Sequence, residues 1–278
     1  MANVAKPITA KNEESKGSGI FAGLAIVICI AVGWILYLFV MGNGSNFEGG
    51  SNLNHPLPGN YFGMVYKGGV IVPMLMGMLL MVIVFSIERF IVINKAAGNG
   101  NVDSFVKKIQ GFLSAGNVDS AISECDKQKG SVAAVIKSGL IKYQAVETDN
   151  SMDTEQKCLA IQKDIEEATA LEMPMLEQNL TIIATLVSVG TLGGLLGTVT
   201  GMIKAFGGLA TSGAPDQAQL ANGISEALIN TATGIATSLV AVISYNFFTS
   251  KIDSLTYSID EAGFSIVQTY AATHSAKH

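Results

Sequence analysis

Four long apolar runs, at about 20–41, 68–93, 180–206 and 224–248, constrain this chain more than anything else in it. Each reaches the ~20 residues that the hydrocarbon core of a bilayer requires of a helix. Backbone N–H and C=O groups in lipid must be satisfied within their own segment, so each run is expected to be helical. Outer-membrane strands would instead show segments of about 10 residues with period-two alternation, and these runs do not alternate. The expected fold class is all-α: a polytopic membrane protein with four transmembrane helices. Composition agrees, because 14% of the residues are charged and 49% hydrophobic, against about 25% charged in soluble proteins.

The first run is read as a retained helix rather than a cleaved signal. Its leading segment is long and mixed in charge, with Lys6, Lys11, Glu13, Glu14 and Lys16, and the run exceeds the roughly 7–15 apolar residues of a signal. Basic residues near the span ends set the orientation. Lys6, Lys11 and Lys16 precede the first span, while Arg89, Lys95, Lys107 and Lys108 follow or end the second, and Lys251 follows the fourth. Segment 42–66 holds no Lys or Arg, and 207–222 holds none either. The expected order is a cytoplasmic tail 1–19, span 20–41, an outer loop 42–67 and span 68–93. A cytoplasmic helical region 94–179, span 180–206, an outer loop 207–223, span 224–248 and a cytoplasmic tail 249–278 follow. Both termini are then cytoplasmic. Trp34, Tyr37, Tyr61, Phe62 and Tyr66 suit an interfacial aromatic belt. Pro73 falls in the first turns of the second span, where a missing N–H is tolerated.

The polar middle reads as short amphipathic helices. Val102, Phe105, Val106, Ile109 and Leu113 recur at helical spacing until Gly116-Asn117 breaks the run. Asn117 is placed to cap a helix carrying Val118, Ala121, Ile122 and Cys125, and Gly130-Ser131 opens another through Tyr143. Glu147–Asp153 reads as a turn. A long helix is then expected from about Met152 into the third span, kinked by Pro174. Continuous to about 206, it would extend about 80 Å and project well into the cytosol.

The last two spans carry the chemistry. Glu226 sits in the apolar run that starts at about 224, where a carboxylate costs roughly 2.5–3.5 kcal/mol and usually marks a pathway or a polar interior. Lys204 and Lys251 lie near membrane boundaries, so they are expected to reach it only by snorkelling. Gly190, Gly194, Gly197 and Gly201 share one face of the third span, as close helix packing requires. Thr191 and Thr198 project together, roughly 80° from that stripe. On the fourth span Thr231, Gly234 and Ser238 form one small polar face. Glu226, Asn230, Thr233 and Thr237 form another, about 140° away. One face can line a lumen while the other packs, and the spacing leaves open which. A threonine in a membrane helix also often bonds back to its own i−4 carbonyl with no transport role.

Other classes find little support. No basic stripe points to nucleic acid at a net charge of −5. Cys29, Cys125 and Cys158 show no metal spacing and are expected to be reduced thiols. His55, His274 and His278 form no ligand cluster, and no P-loop or nucleophile elbow occurs, so neither an enzyme, a cofactor nor a metal is expected. Glu88-Arg89, ending the second span, is expected to be an interfacial charge pair.

Two blocks give the chain a family likeness. Gly194-Leu195-Leu196-Gly197-Thr198-Val199-Thr200-Gly201-Met202 is the first, and Gly223-Ile224-Ser225-Glu226-Ala227-Leu228-Ile229-Asn230-Thr231-Ala232-Thr233-Gly234 the second, continued by Tyr245-Asn246. With these the chain resembles the MotA/TolQ/ExbB proton-channel family, ExbB most closely, over about 180–255 and more loosely over 68–180. The resemblance implies a bacterial inner-membrane motor in which the outer loops are periplasmic. It implies a homo-oligomeric helical pore, a pentamer, around the membrane helices of a dimeric, single-span ExbD-like partner that carries the titrating aspartate. Proton flow would drive a TonB-like protein for outer-membrane uptake.

The family's pore threonines fall on Thr198 and Thr231, and its buried acid on Glu226. Thr191, Asn230, Gly234 and Ser238 remain secondary pore or packing candidates. The implied mechanism is protonation and release of the partner's aspartate beside the two threonines, with Glu226 tuning the field. A TolQ-like role in envelope integrity is the near alternative, and a non-conducting membrane scaffold the distant one. The family often has proline where this chain has Thr191 and Val240, and an aromatic where it has Thr200, which implies straighter helices here. Span 20–41 is an addition to its three-helix plan and is expected on the outside of the pentamer.

Overall fold

A computed structural model describes residues 12–211 and 217–275 of the chain. Lys6, Lys11 and His278, named in the charge and ligand readings, lie outside the described residues. The helices are α1 (Asn12–Ile35), which continues as a π-helical turn over Leu36–Met41, α2 (Tyr61–Tyr66), α3 (Ile71–Ala97) and α4 (Val102–Ser114). Then come α5 (Val118–Gln128), α6 (Gly130–Glu147), α7 (Thr154–Glu177), α8 (Leu180–Thr211) and α9 (Gln217–Ser275). Among the described residues no strand occurs, and an isolated antiparallel bridge joins Phe47 to Pro56. Four helices are long and apolar enough to cross a membrane, and the described residues are all-helical apart from turns and loops. It divides into two compact units, within Met1–Ser86 with Thr181–Tyr245, and within Ile87–Leu180 with Asn246–His278.

The first unit is assembled through small residues. A Cβ on Gly33 of α1 would stand 2.7 Å from the Pro73 carbonyl oxygen and 2.8 Å from the Gly77 nitrogen, so α1 lies backbone to backbone on α3. Between α8 and α9 the glycine stripe does the same. A Cβ on Gly234 would meet the Gly190 oxygen at 2.6 Å and Gly194 Cα at 2.7 Å, and one on Gly201 would meet the Ala227 nitrogen at 2.8 Å. Such approaches are what small-residue membrane packing requires. The loop after the π-helical turn is organised by Asn46, whose Nδ2 donates to the Val40 and Met41 carbonyls at 2.8 and 3.0 Å. Tyr37 stacks on Tyr66 with ring centres 4.7 Å apart and donates its hydroxyl to the Tyr66 carbonyl.

The second unit has a core of large side chains. Four of the five apolar positions read on α4, Phe105, Val106, Ile109 and Leu113, are buried, beside Ile136, Leu140, Ile161, Ile259 and Tyr270. Three of its helices, α4, α5 and α7, start on side-chain caps. Asn117 accepts from the Ser120 N–H at 3.0 Å, as its position predicts, and Asp153 with Gln156 forms a capping box on α7. The expected single helix from Met152 to about 206 is corrected. Helix α7 absorbs Pro174 and ends at Glu177, and the chain turns at Asn179 with φ 63° before α8 begins. The physical reason lies on α3. Arg89, 1% exposed, donates Nη1 to the Met175 and Leu176 carbonyls at 3.1 Å each, satisfying the end of α7 without another helical turn. Its Nε donates to Glu88 at 2.6 Å, so the expected charge pair forms and is part of this helix stop.

Candidate functional site

Thr198 on α8 and Thr231 on α9 are brought together by the glycine contact on either side of them. Gly194, one turn before Thr198, packs its Cα against Gly234 and Thr231, and Gly201 packs against Ala227. With no side chains to hold the helices apart, two short hydroxyls bridge the gap: Thr198 Oγ1 and Thr231 Oγ1 are hydrogen-bonded to each other. Each also faces a carbonyl of its own helix, Gly194 at 3.3 Å and Ala227 at 3.2 Å.

That arrangement has spare capacity. A hydroxyl carries one donor and two acceptor sites. If one hydroxyl donates to the other and the second donates to a carbonyl, both donors are used while acceptor sites remain. Both side chains are half-buried. The pair can therefore accept from a protonated group, and rotation of the two O–H bonds can pass the donor from one to the other. The remaining threonines lack this cross-helix bond. Thr191 is exposed and bonds back to the Val187 carbonyl at 3.2 Å, and Thr200 and Thr233 bond back to Leu196 and Ile229. Back-bonding thus accounts for these three, whereas Thr198 and Thr231 combine a back-bond with a bond to each other.

The other face of α9 points into the first unit. Asn230 is fully buried, and its Nδ2 donates to the Gly68 carbonyl at 2.9 Å and the Glu226 carbonyl at 3.0 Å. Thr237, also fully buried, bonds back to Thr233 at 2.9 Å and faces the Leu75 carbonyl of α3 at 3.5 Å. Gly234 lies in the α8–α9 contact, and Ser238 is half-buried. The Glu226 carboxylate accepts from Lys204 Nζ at 2.5 Å, the lysine expected to reach it only by snorkelling, and that lysine is itself largely exposed. The two side chains come from helices in backbone contact, which shortens the span a lysine must cover. Sequence reasoning also missed Gly68 and Gly69. A Cβ on Gly69, where φ is +81°, would strike the Glu226 carboxylate. A glycine pair just before an apolar run was the available signal.

Residues 128–261 match the MotA/TolQ/ExbB proton channel family. The resemblance read from the two motif blocks is borne out. Among curated relatives, the Tol-Pal system protein TolQ of Pseudomonas aeruginosa is 32% identical over 124 residues, 45% of this chain and 54% of that one. A putative biopolymer transport protein ExbB-like 3 of Synechocystis is 34% identical over 31% of this chain and 42% of its own. The biopolymer transport protein ExbB of Salmonella typhimurium is 33% identical over 31% of this chain and 35% of its own. The chain thus spans about half or less of the length of these relatives, and both the ExbB and TolQ names occur among them.

Proposed function

We propose that this chain is an ExbB-like subunit of a proton-motive-force-driven motor of the bacterial inner membrane. Five copies surround the membrane helices of a dimeric, single-span, ExbD-like protein, and proton flow energises a TonB-like protein for outer-membrane uptake. The single observation that supports this most is the Thr198–Thr231 hydroxyl pair, bonded across two helices that match a proton channel family. A partner carboxyl presented to the pair gives up or receives its proton while hydrogen-bonded to hydroxyls that can both donate and accept. In this reading both termini and the polar helical region are cytoplasmic, the segments before α3 and between α8 and α9 are periplasmic, and α1 stands on the outer side of the pentamer on its α3 neighbour.

A TolQ-like role in envelope integrity is the second reading, favoured by the TolQ relative that matches over 124 residues. Complementation separates the two. In cells lacking their own ExbB-type and TolQ-type subunits, with the neighbouring partner genes supplied, the chain is expected to restore energy-dependent uptake, and Thr231→Val to abolish it at equal membrane abundance. Restored resistance to detergents without restored uptake selects the TolQ-like role. Restoration of neither function leaves a scaffold and removes the motor reading.

A further inference from the structure

Glu226 was placed on the pathway by its depth in an apolar run, and its surroundings point elsewhere. Among the described residues its one ion-pair partner is Lys204, on the facing helix. The carboxylate is 14% exposed while the lysine is 57% exposed, so the lysine bridges from a wetter position to a drier one. Gly69 is the second support. Its missing side chain leaves the space that the carboxylate fills, and its φ of +81° is one that few other residues adopt. Asn230, one turn on, ties the same stretch of α9 to the Gly68 carbonyl. The carboxylate is therefore seated in a turn of its own unit, five residues and about 140° around the helix from Thr231.

A cavity of about 380 Å³ adjoins this seat, lined by Met64, Lys67, Lys204, Asn222 and Glu226 among others. Lys67, the other ammonium on it, is committed to the Asn52 and Leu53 carbonyls at 3.0 and 3.2 Å. Lys204 is left as the counter-ion. Removing the lysine leaves the drier member, the Glu226 carboxylate, uncompensated, whereas replacing both with uncharged groups removes that cost.

We propose that Lys204 is a positioning residue that holds Glu226 as a fixed ion pair between α8 and α9, so that Glu226 locks the helix pair rather than carrying protons. The proposal rests on the channel reading, since it assigns the proton step to the threonine pair alone. It predicts strong coupling between two substitutions, which a double-mutant cycle isolates.

The experiment compares wild type, Lys204→Met, Glu226→Gln, the double variant, Lys204→Arg and Thr231→Val. It measures the thermal stability of the purified full chain, and proton flux per assembled complex in membrane vesicles containing the partner. Each single neutralisation is expected to lower both readouts. The double variant and Lys204→Arg are expected to recover flux to within about threefold of wild type, as coupling between contacting residues implies. A double variant whose flux stays as low as that of Glu226→Gln shows that Glu226 itself moves protons and overturns the proposal. Singles that leave both readouts unchanged overturn it as well. Wild-type flux in Thr231→Val would instead sink the channel-site reading, while the stability cycle still judges the ion pair by itself.

Discussion

The two units of this chain differ in how their helices approach one another. In the first, Gly33, Gly77, Gly190, Gly194, Gly201 and Gly234 let backbones meet beside a buried set that includes Val72, Leu75, Val82, Phe85 and Ile183, while large apolar side chains such as Leu192, Leu195, Leu196, Ile203, Ile235, Leu239 and Ile243 point outward. In the second, Ile109, Leu113, Ile136, Leu140, Ile161, Ile259 and Tyr270 are withdrawn from solvent, and α4, α5 and α7 begin on polar caps. Under the proposed topology, solvent accounts for the contrast. Lipid offers no hydrophobic drive for helices to associate, so close backbone approach and polar contacts must supply the attraction. In water the burial of large apolar groups supplies it directly. The functional consequence is that the glycine-packed α8–α9 pair brings two helix backbones close enough for short hydroxyls to meet across them.

Substitutions of equal chemical modesty should therefore fail differently in the two units. The largest effect is expected from Gly234→Val. The added side chain would need the space held by the Gly190 carbonyl and Gly194 Cα, both backbone, so α8 and α9 must separate. Size-exclusion chromatography in detergent should show loss of the assembled protein; a normal elution profile would break the contrast. Ile136→Ala in the second unit, where Ile136 is 1% exposed, is expected to cost about 2–5 kcal/mol by leaving a cavity. Thermal unfolding of the full chain measures that loss, with the assembly still forming. Asp153→Ala should cost about 1 kcal/mol, the worth of a lost helix cap. It is best read by hydrogen exchange at the first turn of α7, where Asp153 now accepts from the Gln156 N–H at 2.7 Å.

Much of this was legible from residue order. Apolar runs gave the membrane helices, since length and hydropathy decide that question alone. The period of Phe105, Val106, Ile109 and Leu113 gave α4, and Asn117 gave the start of α5. The angle between Glu226 and Thr231 followed from helix geometry, and it separates the two polar faces of α9 in the structure too. Three things were not legible. Whether Lys204 reaches Glu226 depends on the distance between α8 and α9, which no spacing along one helix encodes. The end of α7 is set by Arg89, some 90 residues earlier in the chain, and so proline drew attention to the wrong residue. The seat of the carboxylate needed Gly69, whose value lies in the atoms it lacks.

The central claim is that Thr198 and Thr231 form the proton-transfer site. It is tested most directly by proton flux through the assembled complex in vesicles, comparing wild type with Thr231→Val and Thr198→Val at matched assembly. Valine keeps the shape and deletes the hydroxyl. Each substitution is predicted to cut flux by about a hundredfold, the low end of what a positioned proton-transfer group contributes. Flux equal to wild type in both variants, with assembly intact, would contradict it.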